Sequence, residues 1–313
     1  MAKRSPTKPY VLVIGAAGID SKGRASVPLT RGSSTPGFVR VAVGGTARNV
    51  ADNLVRLGVE AVLLSAVGND SSGRRILSNA AEIGLNTDYL IVSDEHHSAA
   101  YVAILDEAGN LTHSVDDMQA LTRITPEVID RRRNLIKNAE MIVMDSNLSE
   151  ATIAELFKVA NRYHVRICAD PASTSLATKL KPYLSSIYMI TPNIPEAQVL
   201  SGKVIDNEDD ALAAARSLVN AGVSIAMITL AEEGVVYASA NDSGHVPAVS
   251  TDIVDSTGAS DALTATVVFG LLNDIPLDES VRLGASAAAL TLACADTVCA
   301  DLSLDLLYDQ LLI

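Results

Sequence analysis

The sequence predicts an α/β protein: a three-layer α/β/α sandwich whose mostly parallel central sheet is covered by helices on both faces, with a small β-strand lid. Three observations carry this prediction. Short runs dense in branched apolar residues alternate with stretches of helical periodicity. Hydrophobic residues make up 48% of the 313 residues, enough apolar material for a large core. Two polar segments interrupt the alternation, and one of them has the period of a strand.

Taken in order, the strand-like runs are Tyr10–Ile14, Ala61–Val67, Met141–Asp145, Val165–Asp170, Ile187–Thr191 and Ser224–Leu230. Each lacks polar alternation, as strands buried on both faces do. Helical patterns fall between most of them, at Ala47–Leu57, Gly73–Ile83, Glu150–Tyr163, Pro195–Ser201 and Asp209–Ala221. The last third reads as helices over Ala259–Leu272, Leu277–Ala293 and Leu304–Leu312. The interruptions lie at about 21–43 and 98–121. Strands that leave an α/β core and return to it commonly cover a ligand crevice, so residues 1–313 read as one domain with these segments inserted as a lid.

Bulk properties exclude several functions. A net charge of −13 repels nucleic acid, and no stretch interleaves Lys or Arg with aromatics, so no polymeric nucleic acid partner is expected. Any phosphate-bearing ligand then needs locally placed positive charge. Cys168, Cys294 and Cys299 form neither a disulfide framework nor a CxxC site, which fits a reducing, cytoplasmic location. Lys3, Arg4 and Lys8 ahead of the apolar run from Val11 to Ile19 imitate a secretory leader, but that run reads better as a buried first strand. No apolar run suits a membrane span. The five histidines show no metal-ligand spacing, and neither a Walker loop nor a GxGxxG turn occurs.

Four segments carry candidate chemistry. In Asp255-Ser256-Thr257-Gly258-Ala259-Ser260-Asp261, small residues lead into an apolar helix. Free amides at Gly258, Ala259 and Ser260 would form an anion hole there. Asp261, in the first turn, would accept a proton from an attacking alcohol while the helix dipole keeps it ionised. The same pattern also suits a helix cap with an acidic first turn. Asn193 and Glu196 start another helix and suit either water-mediated Mg²⁺ binding or a capping box. Gly44-Gly45-Thr46-Ala47-Arg48-Asn49 admits close approach of a ligand, with Asn49 offering both donor and acceptor. Asp20, placed at the end of the first strand, supplies an acceptor for two neighbouring hydroxyls or is a turn residue.

In this order the four segments resemble the ribokinase-like, or PfkB, carbohydrate kinase family over essentially the whole chain. The resemblance implies ATP as phosphoryl donor with Mg²⁺, Asp261 as the base, and Asp20, Gly44, Gly45 and Asn49 around the acceptor hydroxyls. It places Asn193, Glu196 and Thr257 near Mg²⁺ and phosphate, with Thr229 and Gly234 against the nucleotide. It further implies a monovalent cation such as K⁺ near Asp255 and a homodimer through the lid. Ala231 and Ser260 stand where the family pattern has glycines, and Ser260 leaves open a nucleoside-binding protein of weak catalysis. Local features resemble the pseudouridine kinase branch, namely Arg48, Ser98, Tyr101, Asp116-Asp117-Met118, the 141–147 stretch ending in Asn147, and 170–173. That likeness adds Arg48, Ser98, Tyr101, Asp117 and Asn147 to the acceptor-binding candidates and the 5′-hydroxyl of pseudouridine as the acceptor. Ribose, another nucleoside or a hexose remains the alternative.

Overall fold

Residues 8–311 are described by a computed structural model, so Lys3, Arg4 and Leu312 lie outside the described residues. In chain order the strands are β1 (Val11–Ile14), β2 (Gly18–Ala25), β3 (Gly37–Gly44), β4 (Ala61–Leu64), β5 (Ala66–Gly68), β6 (Ile91–Ser93) and β7 (Ala99–Leu105). They continue with β8 (Leu111–Asp117), β9 (Met141–Asp145), β10 (Arg166–Asp170), β11 (Met189–Ile190), β12 (Ile225–Thr229), β13 (Val235–Ser239) and β14 (Ser243–Val246). The helices are α1 (Thr46–Arg56), α2 (Ser71–Glu82), α3 (Pro126–Arg131), α4 (Arg133–Lys137), α5 (Glu150–Tyr163) and α6 (Thr174–Ala177). After these come α7 (Ile194–Ser201), α8 (Glu208–Asn220), α9 (Ala259–Leu272), α10 (Leu277–Leu292) and α11 (Leu304–Leu311).

The main sheet has the order β14-β13-β12-β11-β10-β9-β1-β4. It is parallel from β4 to β12 and antiparallel at the β13–β14 edge. Period-two alternation divides each strand between two cores. Leu12 and Ile14 of β1 pack with Leu156 and Phe157 of α5 and with Ala211 of α8. Val11 and Val13 pack with Val50 and Leu54 of α1 and with Leu263 and Val267 of α9. Both faces are therefore apolar, which is why the strands read as unbroken hydrophobic runs.

Departures from the sequence reading have local causes. The 61–67 run is two strands, because the Ser65 hydroxyl donates to the Gly15 carbonyl at 2.6 Å and the chain then leaves the sheet to pair β5 with β6. The β13–β14 edge was not legible, since Ser243–Val246 is too short and polar to show a period. The apolar run beginning at Val11 also breaks. At Gly15 the backbone adopts φ 151, and a Cβ there would collide with the Asp145 carboxylate. β1 therefore ends at Ile14, and Asp20 belongs to β2 rather than to the end of the first strand.

The two interrupting segments form a second sheet of order β3-β2-β7-β8. Registry puts Asp20 beside Ala42 and Tyr101, and Tyr101 beside Asp116, so these side chains share one face. Among the described residues no helix is long and apolar enough to cross a membrane.

Candidate functional site

The carboxyl ends of the parallel strands deliver Asp145 from β9, Asp170 from β10 and Thr229 from β12 to one edge, where α/β folds place ligands. The N-terminus of α9 closes on the same edge. Gly258 caps it at φ 86, and a Cβ on Gly258 would collide with the carbonyl of Thr297. Only glycine fits that cap. Ala259 and Ser260 line a cavity of about 760 Å³. Ser260 lies within α9 and is absent from the positive-φ positions, so its backbone does not require glycine.

Asp261 is buried in the first turn of α9 and accepts a 2.8 Å hydrogen bond from the Asn49 side-chain amide. Burial raises its pKa to about 7, with Asp145 and Asp20 adding to the rise and the Asn49 bond and Arg48 opposing it. This corrects the expectation that the helix dipole would hold it fully ionised: removal from water and two neighbouring carboxylates outweigh the dipole.

The diglycine is dictated by sterics. A Cβ at Gly44 would run into the Asp20 carboxylate, and one at Gly45 (φ 94) would come 2.6 Å from the Ala16 carbonyl. Asp20 can therefore lie flat over the start of α1. Its pKa is raised, chiefly by burial, against the attraction of Lys22. Asn49 is held from behind, its carbonyl oxygen accepting from Arg48 at 2.9 Å and from the Thr297 hydroxyl at 3.1 Å. Thr297, a residue the sequence reading did not select, thus supports Asn49 by its hydroxyl and the α9 cap by its backbone.

Asp145 and Asp170 fall in the 141–147 and 170–173 stretches already noted, but neither was assigned a role from the sequence, although each ends a buried strand. Asp145 is fully buried and accepts from the Ala16 amide at 2.6 Å and from the Asn147 amide and side chain at 2.9 Å each. Asp170 accepts from the Ala172 amide at 2.7 Å. Its pKa is raised well above the usual range by burial, then by Asp261 and Glu196. Asn193 and Glu196 form the capping box of α7, through Asn193 N to Glu196 Oε2 at 2.9 Å and Glu196 N to Asn193 Oδ1 at 3.0 Å. Glu196 Oε1 also accepts from the Asn193 side chain at 3.0 Å.

Thr229 and Asn193 bridge across adjacent strand ends and line the cavity with Gly234. Gly234 adopts φ 99 in a turn where a Cβ would meet the Val246 carbonyl. Ala231 takes φ 52 in the same turn, a left-handed conformation that glycine would adopt at less cost.

Several sequence-selected residues do something other than expected. Ser98 does not offer its hydroxyl, which donates to Asp70 at 2.7 Å and accepts from the Gly68 amide at 2.9 Å. Asp117 pairs with Ala100, one step out of phase with Tyr101, so it lies on the face away from Asp20 and caps a turn through Gln119 N at 3.0 Å. Asp116 has the phase that was assigned to Asp117. Arg48 is occupied by Asp52 at 2.6 Å and Asn79 at 2.5 Å as well as by Asn49. Asp255, expected beside a monovalent cation, is paired with the Lys22 ammonium at 2.5 Å. Tyr101 is half-buried on the Asp20 face.

A three-layer sandwich with a buried carboxylate beside a helix N-terminus and an adjoining cavity is an arrangement compatible with small-molecule phosphoryl transfer. The pfkB family carbohydrate kinase model matches residues 8–301, and the chain belongs to that family. It is 31% identical to the pseudouridine kinase of Escherichia coli (strain K12), covering 95% of each chain. It is 27% identical to the guanosine-inosine kinase of Exiguobacterium acetylicum, covering 90% of this chain and 94% of the relative. The Arabidopsis thaliana ribokinase complexed with ribose and ATP superposes with a TM-score of 0.84 at 19% identity, over 98% of this chain and all of the other.

Proposed function

We propose that the protein transfers the γ-phosphoryl group of ATP to the 5′-hydroxyl of pseudouridine. The observation that carries the chemistry is the buried Asp261, held by Asn49 at the N-terminus of α9 beside the large cavity. Asp261 takes the hydroxyl proton as the acceptor oxygen bonds to phosphorus, the bond from phosphorus to the β-bridging oxygen breaks, and ADP leaves. Amides at Gly258, Ala259 and Ser260 stabilise the negative charge that builds on the transferred group. Asp20, above Gly44 and Gly45, binds acceptor hydroxyls together with Asn49, and Tyr101 covers them from the small sheet. Thr229, Gly234 and Thr257 flank the nucleotide. Asn147 acts through Asp145, which it orients.

The donor set fits Mg²⁺ carried by the nucleotide. Both Glu196 oxygens already accept from Asn193, and among the described residues no group of three His, Cys, Asp or Glu could hold an ion directly. That suits an ion that keeps its waters and meets carboxylates through them. Bound with ATP, Mg²⁺ would neutralise charge on the phosphate oxygens. We assign the charge balance of Asp255 to Lys22 rather than to K⁺.

Pseudouridine is favoured as acceptor by the 31% identity to a pseudouridine kinase over 95% of both chains. A panel of pseudouridine, uridine, inosine, ribose and fructose, read by coupled ADP detection, is expected to give the highest kcat/KM for pseudouridine. Higher turnover of inosine or ribose would transfer the assignment to the alternatives. Absence of turnover with every acceptor, despite nucleoside binding, would favour a binding protein instead.

We also propose that a second copy covers the outer face of the small sheet. Val39 and Val115 are 76% and 71% exposed there, beside Val41, Val102 and Ile104. Registry aligns all five on the face opposite Asp20, an apolar patch of the kind that marks an interface. Sedimentation should show a dimer for the wild type and a monomer for Val39→Lys/Val115→Lys. A monomeric wild type at micromolar concentration would exclude this pairing.

A further inference from the structure

We infer that Lys22, carried on the small sheet, places a cation on the transferring phosphoryl group. The inference rests on the kinase reading above. Lys22 lies two residues beyond Asp20 on the same face of β2, so one strand presents both an acceptor-binding carboxylate and an ammonium. The ammonium reaches Asp255 Oδ1 at 2.5 Å and also bonds the Thr257 hydroxyl. These two residues flank Ser256, which lines the large cavity at the entrance to α9.

The charge around this turn creates the need for such a group. Asp20, Asp145, Asp170, Glu196 and Asp261 are all buried around the site, with burial raising the pKa of each, and the charge that a nucleoside triphosphate brings must still be met. The α9 N-terminus supplies only about half an elementary charge. Other cations nearby are engaged elsewhere. Arg48 is held by Asp52 and Asn79, and Lys179 donates to the carbonyls of Ser146 and Leu148. Arg40 donates to the Ala295 carbonyl. Lys22 alone among these touches the turn itself. The Lys22 and Asp255 side chains are 15% and 16% exposed, so the pair is mostly shielded from solvent, and both residues line a small pocket together with Asp20. A phosphoryl oxygen can replace Asp255 as acceptor, and the flexible lysine stem allows the ammonium to follow it. No covalent change involves Lys22, and the acceptor proton still goes to Asp261.

The test measures nucleotide binding by calorimetry on the full chain with Mg²⁺, comparing ADP with a non-hydrolysable ATP analogue. In Lys22→Met the analogue is expected to bind about tenfold more weakly, the worth of one charge-assisted hydrogen bond, while ADP affinity holds within about twofold. With the acceptor found by the panel, kcat should fall about a hundredfold while the acceptor KM stays within about threefold. Lys22→Arg should recover most of the preference for the triphosphate. A lysine that only tethers the small sheet would alter both nucleotides alike and leave their ratio unchanged. An unchanged ratio in Lys22→Met therefore overturns the inference while the kinase reading stands. Failure of the wild type to bind either nucleotide overturns both.

Discussion

Asp261→Asn is expected to lower kcat about a thousandfold, the middle of the range for loss of a positioned base, while acceptor affinity changes by less than about threefold. The substitution is isosteric and keeps an oxygen for the Asn49 amide, which donates to Asp261 at 2.8 Å. What it removes is the ability to take a proton. With the carboxyl pKa raised to about 7 by burial first and then by Asp145 and Asp20, wild-type kcat/KM should climb as pH rises through 7 and level off above it. The residual rate of Asp261→Asn should not follow that curve. Stability moves the other way. The folded-state value lies above the ordinary 3.8, so the contribution of Asp261 is fully present below pH 3.8 and is lost as pH rises through about 7. Thermal unfolding of the ligand-free protein at pH 8 should therefore show Asp261→Asn at least as stable as the wild type. A variant with wild-type kcat would remove Asp261 from the chemistry, and a pH-independent wild type would contradict the shifted carboxyl.

The strand ends show how far the sequence could be read. Met141–Asp145 and Glu150–Tyr163 were legible to the residue because burial on both faces of a strand and on one face of a helix leaves a periodic imprint. Gly44, Gly45, Gly258 and Asp261 were legible as a local pattern because glycines just before a helix and a carboxylate in a first turn stand at fixed spacing. Asp145 and Asp170 were not, since an acid closing an apolar run looks like a turn residue until neighbouring strands bring two of them side by side in register. Ser98 failed because its hydroxyl is taken by Asp70 and the Gly68 amide, contacts no local pattern shows, and Asp117 failed through registry. The face to which a side chain points depends on β-registry, and a slip of one residue exchanges Asp116 for Asp117. Thr297 and Lys22 act across separations of more than 230 residues, through Asn49 and Asp255 respectively, and no local pattern encodes such a contact.

Gly258→Ala should be the most damaging single-methyl change in the protein. Gly258 sits at φ 86, where a Cβ costs about 1–2 kcal/mol, and the same Cβ would collide with the backbone carbonyl of Thr297. A backbone oxygen cannot swing aside as a side chain can, so either the α9 cap or the Thr297 loop must move. Both routes reach the site. The cap carries the amides of Ala259 and Ser260, while the Thr297 hydroxyl bonds Asn49 at 3.1 Å and the Val43 carbonyl at 2.8 Å. Asn49 in turn holds Asp261. A displacement approaching 1 Å at such a junction is expected to lower kcat/KM about a hundredfold. Stability should fall by about 2–3 kcal/mol from conformational strain plus overpacking, read by urea unfolding. Gly58→Ala supplies the control, because Gly58 has φ 81 with nothing within 4 Å of its added Cβ. It should cost about 1 kcal/mol of stability from φ alone and leave kcat/KM unchanged. The difference between the two variants isolates the collision with Thr297 from the left-handed backbone. Wild-type turnover in Gly258→Ala, with the same stability as Gly58→Ala, would mean that the α9 turn does not cradle the phosphoryl group.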